Sequence, residues 1–445
     1  MVNPMHPVMA LRNLDTLQKE IVSILSRAGI GMSQTGIVAK LTSRASQPTV
    51  SRAMARLVAD GIVIKTGETR GASFDLSPAA SWFSKAPHYR PEVPYDPERI
   101  GGYVPNTTTW LPAEQLARIR AAAEGVNQAL DASTYSRAIA ERFLIDLAWA
   151  SSNLEGNTYT YLDTEVLLQY GQKASGHELA EATMILNHKH AISELLDSVG
   201  RPVLNPQFAA RIHAMLLRDL ISPEDLGRVR GNPVKIQGSS YQPSGDRTQL
   251  TQDLGQLLWK AEQVEDPFEA SFLLLTEFSY LQAFIDGDKR MGRLMANVPL
   301  LWQGLPPISF IGINRSAYLS GLILFYELGD ASLMAGAVAD AYEETSKNYT
   351  AAVATRRVPK SVELRERRRI DEAVRTIVED GLPEDDVRSF ASDYFQNLND
   401  EDRDHLVGLV AEIITAITPE NARAWNVDPD RVVAYISGRS KTHGT

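Results

Sequence analysis

Between Leu281 and Arg293 the chain reads Leu-Gln-Ala-Phe-Ile-Asp-Gly-Asp-Lys-Arg-Met-Gly-Arg, a segment built to meet phosphate. Helical spacing stops near Ala283, Gly287 marks a tight loop, and a new helix is expected to begin near Lys289. In that geometry the backbone amides of Gly287, Asp288 and Lys289 point into the loop, at the positive end of the next helix. Such a place is a preformed anion site. Arg290 and Arg293, three apart, share one helix face and can grip a polyphosphate. Asp286 is placed to hold a magnesium ion between phosphates. The plainer alternative is a helix corner with an exposed basic first turn. Arginine is not favoured at a helix N-terminus, so the pair calls for an anion, bound or internal.

A second segment, Ser151-Ser152-Asn153-Leu154-Glu155-Gly156-Asn157, closes a predicted helix upstream. Alone, Glu155 reads as a solvated helix-end carboxylate. Together the two segments resemble the paired motifs of the Fic (Fido) family. The downstream one is similar to His-x-Phe-x-Asp/Glu-Gly-Asn-Gly/Lys-Arg-x-x-Arg, matched here by Phe284, Asp286, Gly287, Lys289, Arg290 and Arg293. The upstream one looks like the inhibitory Ser/Thr-x-x-x-Glu-Gly/Asn, with Ser151, Glu155 and Gly156 in place. Tyr103–Asn106, Gly227–Pro243 and Tyr318–Asp330 extend the likeness over roughly residues 91 to 348.

The resemblance implies an ATP–magnesium loop that passes AMP to a hydroxyl on a target protein, after a histidine has taken the hydroxyl proton. It implies that Glu155 pairs with Arg293 and blocks the γ-phosphate, with Ser151 bracing that helix. Two departures fall on residues next to the reaction: Gln282 stands at the histidine position and Asp288 at the asparagine position. A glutamine amide accepts no proton near pH 7, and a positioned base contributes about 10²–10⁴-fold. Asp288 is expected to add negative charge beside the phosphates and weaken nucleotide binding. It is also a less favoured candidate for surrogate base or second metal ligand. His188 and His190 face different sides of a helix and form no chelate, and His213 is expected as a packed core histidine.

The elements that must hold these residues are helical. Apolar spacing predicts helices over 113–130, 136–151, 178–198, 206–217, 249–263 and 267–283. Val234–Gln237, bounded by glycines, reads as a small β-hairpin flap suited to pairing with an extended target peptide. Residues 78–111 are rich in proline and read as an extended, partly packed linker leading into a body over 112–355. Residues 356–445 read as extra helices, whose Arg365–Arg369 run is expected as a solvated face rather than a nucleic-acid patch.

In front, residues 11–77 read as three helices and a two-stranded wing, and resemble a winged helix-turn-helix. Ser33 opens the second helix, and Ser46 is the candidate N-cap of the third. Gln47, Thr49, Ser51 and Arg52 on the third helix, with Lys65 and Arg70 on the wing, are the expected contacts to double-stranded DNA. Winged helices also serve as protein-interaction modules, and a homodimer is compatible with that use. Between Leu11 and Leu76 nine Lys/Arg face five Asp/Glu, while the 445-residue chain carries a net charge of -10. A locally basic module on an acidic body suits a specific DNA-binding head.

The chain has no cysteine, which excludes disulfides, thiolate metal sites and cysteine nucleophiles. Its composition, 44% hydrophobic and 22% charged, is that of a globular protein. No apolar run approaches the roughly 20 residues that span a bilayer, and no signal pattern is seen, so a cytoplasmic location without membrane partners is expected. The expected architecture is mainly α, an all-helical Fic domain with a flap behind a winged head. Three readings compete: a DNA-binding regulator whose degenerate Fic body binds ATP or another nucleotide, an autoinhibited adenylyltransferase, and a scaffold that has lost nucleotide binding.

Overall fold

A computed structural model describes residues 6–68, 71–128, 132–200, 204–354, 362–419, 422–425 and 427–442. It is mainly helical, as expected. The head begins with α1 (Thr16–Ala28), closed at its N-terminus by a reciprocal Asp15/Gln18 capping box. A two-residue strand β1 (Met32–Ser33), α2 (Gln34–Lys40) and α3 (Gln47–Ala59) follow. Then come β2 (Val63–Thr66) and β3 (Ser73–Leu76). The wing carries a third strand that the sequence did not announce: the sheet order is β1-β3-β2, antiparallel, with Met32 opposite Phe74 and Val63 opposite Leu76. A two-residue strand has no periodicity to detect. Ile21, Leu25, Ile37, Val50, Met54, Leu57 and Phe74 fill the core between helices and sheet. Ser46 is the N-cap of α3, as expected, but through its backbone carbonyl; its hydroxyl bonds Thr49 rather than a helix amide.

The linker is more ordered than its prolines suggest. It forms α4 (Pro78–Phe83) and a strand β4 (Val93–Pro94), which pairs in parallel with β5 (Tyr241–Gln242). The body contains α5 (Ala113–Gln128), α6 (Ala132–Leu154), α7 (Tyr161–Tyr170), α8 (Leu179–Asp197) and α9 (Pro206–Leu217). It continues with α10 (Arg247–Gln263), α11 (Pro267–Leu281), α12 (Asp288–Met295), α13 (Asn297–Trp302), α14 (Arg315–Leu328) and α15 (Ser332–Ala354). Every residue of α11 from Phe268 to Leu281 is buried, so this helix is the axis that the others surround. The hairpin expected around Val234–Gln237 is not a pair of strands. Residues 231–240 form an irregular loop with a turn at Gly238, and only its end, β5, enters a ladder. That ladder is supplied by the linker, whose edge outcompetes local pairing.

The head rests on α14. Val8, Ala79 and Phe83 join Ala317, Leu324, Leu333 and Ala337 in one apolar cluster, and Arg12 donates to Ser316 and, at 2.8 Å, to Ser320. Behind the body lie α16 (Val362–Arg365), α17 (Arg367–Glu379), α18 (Glu384–Tyr394), α19 (Asp400–Ala416) and α20 (Pro429–Thr442). The arginine run there is solvated only in part: Arg368 is exposed, while Arg367 and Arg369 are not. Arg368 pairs with Asp197 at 2.8 Å, Arg369 pairs with Glu366 at 2.8 Å, and Arg367 turns inward. Among the described residues no helix is long and apolar enough to cross a membrane.

Candidate functional site

The loop between α11 and α12 is shaped by residues in left-handed conformation. Gln282 ends α11 at φ 48, and Gly287 opens α12 at φ 89. At φ 89 any other residue would be strained, and a Cβ on Gly287 would also come within 2.6 Å of a Leu217 methyl. Phe284 is buried and stacks on His213 with ring centroids 4.0 Å apart. His213 accepts from the Gly227 amide through Nδ1 at 2.9 Å and donates from Nε2 to the Asp286 carbonyl at 3.0 Å. Burial pushes this imidazole down to about 4, so it stays neutral. Its expected place in the core is real, but it is also a strut between the base of the flap and the loop. A lone histidine on an apolar helix face gave no sign of that second role.

Around this frame the polar side chains divide. Asp286 is exposed; one carboxylate oxygen accepts from the Gly287 amide at 2.6 Å and the other from Arg290 at 2.7 Å. The Gly287 amide, expected to face an anion, is therefore taken by its neighbour. Arg290 is buried, and its Nε and Nη1 have no partner in the protein. Asp288 does not project toward phosphates. It folds inward at 3% exposure and accepts from the Phe284 amide at 3.1 Å. Burial pushes its carboxyl up to about 8, so the charge expected of it is absent at neutral pH. Gln282 is half-buried; its side-chain Nε2 donates to the Ser279 carbonyl at 2.7 Å, and its backbone carbonyl accepts from Arg230 at 2.6 Å.

Arg293 is fully buried and fully engaged. It donates to Glu155 at 2.7 Å, to the Ser151 hydroxyl at 2.9 Å, to the Ser151 carbonyl at 3.1 Å and to the Tyr318 hydroxyl at 3.1 Å. Lys289 reaches the other Glu155 oxygen at 3.0 Å. Burial works to raise the Glu155 carboxyl, but Arg293 and Lys289 outweigh it and hold it down at about 2. The α6 helix ends here because Gly156 turns the chain at φ 99. Glu155 is thus the internal anion for Arg293, while Arg290 meets Asp286.

The model of the Fic/DOC family matches residues 203–300, from the start of α9 through the loop and α12 to α13. This stretch is a Fic/DOC family domain. The protein adenylyltransferase Fic of Drosophila erecta is 26% identical over 202 residues, 45% of this chain and 40% of that protein. Its counterpart in Drosophila mojavensis is 27% identical over the same length. The chain therefore spans well under half of the relatives it matches. Among solved structures, Fic-1 (residues 134–508) of C. elegans aligns with a TM-score of 0.47 at 21% identity, over 55% of this chain and 74% of that one. A Fic family protein from Desulfovibrio desulfuricans gives 0.47 at 17% identity, over 69% and 86%.

The Fic domain's clamp has a support that sequence reasoning missed. His188, fully buried on α8, donates from Nδ1 to the Met184 carbonyl at 2.8 Å and accepts the Ser151 hydroxyl on Nε2 at 2.9 Å. Burial pushes it down to about 3, so it remains an acceptor. Spacing on a helix shows that His188 and His190 diverge, but not that one of them reaches Ser151. Phosphate chemistry fits what is present: the unpartnered Arg290 donors and the exposed Asp286 carboxylate lie together. Among the described residues no group of three or more His, Asp or Glu could hold a metal unaided, so a magnesium ion would need phosphate oxygens as well.

On the head, Gln47, Ser51 and Arg52 are exposed along α3, while Thr49 is half-buried and bonds Ser46. The Ser51 hydroxyl accepts from Gln34 at 2.6 Å. Lys65 is exposed on β2, and Arg70 lies outside the described residues.

Proposed function

We propose that this chain is a DNA-binding transcriptional regulator whose Fic domain holds ATP with magnesium as a signal and transfers adenylate poorly or not at all. The observation that carries the reading is Gln282. Where the family pattern has its histidine, a carboxamide is hydrogen-bonded back to its own helix, and it takes no proton near neutral pH. The grip on a polyphosphate is kept while the base is lost. Arg290 would hold phosphate oxygens through its unpartnered nitrogens, and Asp286 would share a magnesium ion that neutralises phosphate charge. The relatives, named as adenylyltransferases, favour ATP as the nucleotide.

The regulatory half rests on the head, read as a winged helix-turn-helix. It has an open α3 face of amide, hydroxyl and guanidinium groups, which suits base and phosphate contacts. A link between the halves exists in α14. That helix takes Arg12 of the head on Ser316 and Ser320, and offers Tyr318 to Arg293. At its other end buried Glu327 accepts from Arg90 and Trp82 of the linker and from Ser239 and Ser240 of the flap. α14 therefore touches both the arginine that Glu155 holds and the head.

The Glu155 pair favours a second reading, an autoinhibited adenylyltransferase acting on a target protein at the flap, since a clamp implies something to restrain. One experiment separates the two. α-Labelled ATP and magnesium are incubated with wild type, Glu155→Gly and Glu155→Gly/Gln282→His, and DNA binding is followed in parallel across a salt series. Label on protein only after histidine is restored, with salt-dependent and sequence-selective DNA binding, is the expected result. Label with Glu155→Gly alone gives the second reading, and absence of any DNA binding refutes the first.

A further inference from the structure

The C-terminal helices do more than cover the body. α17, α19 and the short turn Ala422–Trp425 close over α6 and α7, leaving a cavity of about 60 Å³ between the two layers. Five aliphatic residues, Leu144, Ile145, Leu168, Ile370 and Leu409, make up most of its apolar wall, and Gln169 adds an amide. Two hydrogen-bond donors on residues lining it have no acceptor in the protein, Nε of Arg367 and the indole Nε1 of Trp425. Trp425 is only 4% exposed. Beside its N–H stands Gly171, where a Cβ would come within 3.1 Å of Nε1, so a missing side chain keeps room at that donor. Buried donors are nearly always matched, and a pair of them at an apolar cavity asks for a ligand with acceptor oxygens. Two carboxylates also line the cavity: Glu363 is hydrogen-bonded to His405, and Asp371 is buried, its carboxyl pushed up by burial against the pull of Arg367, His190 and Arg375.

We propose that this cavity binds a short-chain monocarboxylate, with its oxygens on Arg367 and Trp425 and its alkyl end against the aliphatic wall. A guanidinium is the side chain best suited to a carboxylate, and the indole offers one further directed donor. Size limits the class. A water needs about 10–15 Å³ of such space, so the cavity takes roughly four to six non-hydrogen atoms, the range from acetate to butyrate. Water could satisfy the donors, and the controls below separate it from a carboxylate by asking for saturable binding. The site joins α6 and α7 to α17, so its occupant would fasten the C-terminal helices to the body. It stands independently of the function proposed above, because its test uses neither DNA nor ATP.

The test is titration calorimetry and thermal unfolding of the full chain with sodium acetate, propionate and butyrate. Propionamide and sodium chloride at matched ionic strength are the controls. Propionate or butyrate should give a saturable 1:1 isotherm and a concentration-dependent rise in Tm that the controls do not give. Arg367→Met and Trp425→Phe should each weaken binding roughly tenfold or more, the loss expected for a directed bond to a charged partner. Trp425→Phe keeps the ring and removes only the N–H, so it decides the matter if Arg367→Met fails to fold. No saturable binding of any of the three acids overturns the proposal. So do equal shifts with propionamide or chloride, which mean a water-filled cavity, and wild-type affinity in Trp425→Phe.

Discussion

Replacing Asp288 by Asn removes a titrating group from the inside of the loop and restores the residue type of the family pattern. Asp288 is 3% exposed, its Oδ2 has no partner, and burial pushes its carboxyl to about 8 from an ordinary 3.8. In the unfolded chain it ionises near the ordinary value. Between about pH 4 and pH 8 the folded protein therefore keeps a proton that the unfolded chain has released. Stability from this group is fully present below the unfolded value and falls as pH rises through the window. Each pH unit removes about 1.4 kcal/mol, so over the 3.2 units from 3.8 to pH 7 the burden is about 4.4 kcal/mol, an upper bound because water entry and relaxation lessen it. Asn carries no such burden. Denaturant unfolding of wild type and Asp288→Asn at pH 5.5 and 7.5 should show the variant gaining up to about 2–3 kcal/mol on wild type between the two conditions. A difference that stays constant over that range would mean that Asp288 is ionised in the fold, and the account of a neutral loop interior would fail.

Glu155→Gly should tighten ATP–magnesium binding by about tenfold or more, since Arg293 and Lys289 lose their internal anion, and calorimetry would read it directly. The Glu155 carboxyl is held at about 2 against an ordinary 4.5, so the clamp's contribution is complete above pH 4.5 and is lost as pH falls toward 2. Acid unfolding of wild type should accordingly converge with that of Glu155→Gln at the low end of the range. Arg52→Ala should weaken DNA binding by about 1–3 kcal/mol in 150 mM salt, the order of a base or phosphate contact, and unchanged affinity would remove α3 from the interface. Glu327→Gln leaves the Arg90 guanidinium buried without its counter-ion and should destabilise the protein by about 3 kcal/mol in urea melts. It should also weaken any effect of ATP on DNA affinity.

Much of the site was legible because its residues lie close together in sequence. The Phe284–Arg293 segment declares a loop and a helix start through Gly287 and two arginines on one face, and backbone geometry then follows from local rules. The helices of the body were legible through their apolar spacing, and α2 through Ser33. The segment around Val234–Gln237 carries no strands of its own, and the pairing falls at Tyr241–Gln242, because β-pairing depends on which edge is near. The linker's Val93–Pro94 arrived from far away in sequence. Of the arginines at 367–369, Arg368 was illegible for a related reason: its anions, Asp197 and Glu194, belong to a helix distant in the chain.

From sequence alone came the residue types: an amide where the family has a base, an acid where it has an amide, and a glutamate upstream of an arginine pair. These are chemical identities, and no fold alters what Gln282 can and cannot accept. Tertiary structure decided the charge states and the partners. Asp288 is neutral because the loop closes over it and leaves one oxygen dry, whereas Glu155 is ionised because two cations converge on it from α12. His188 supports Ser151 only because α8 packs along α6. Protonation and pairing are set by dielectric surroundings and distance, and those exist only once segments remote in sequence have packed together.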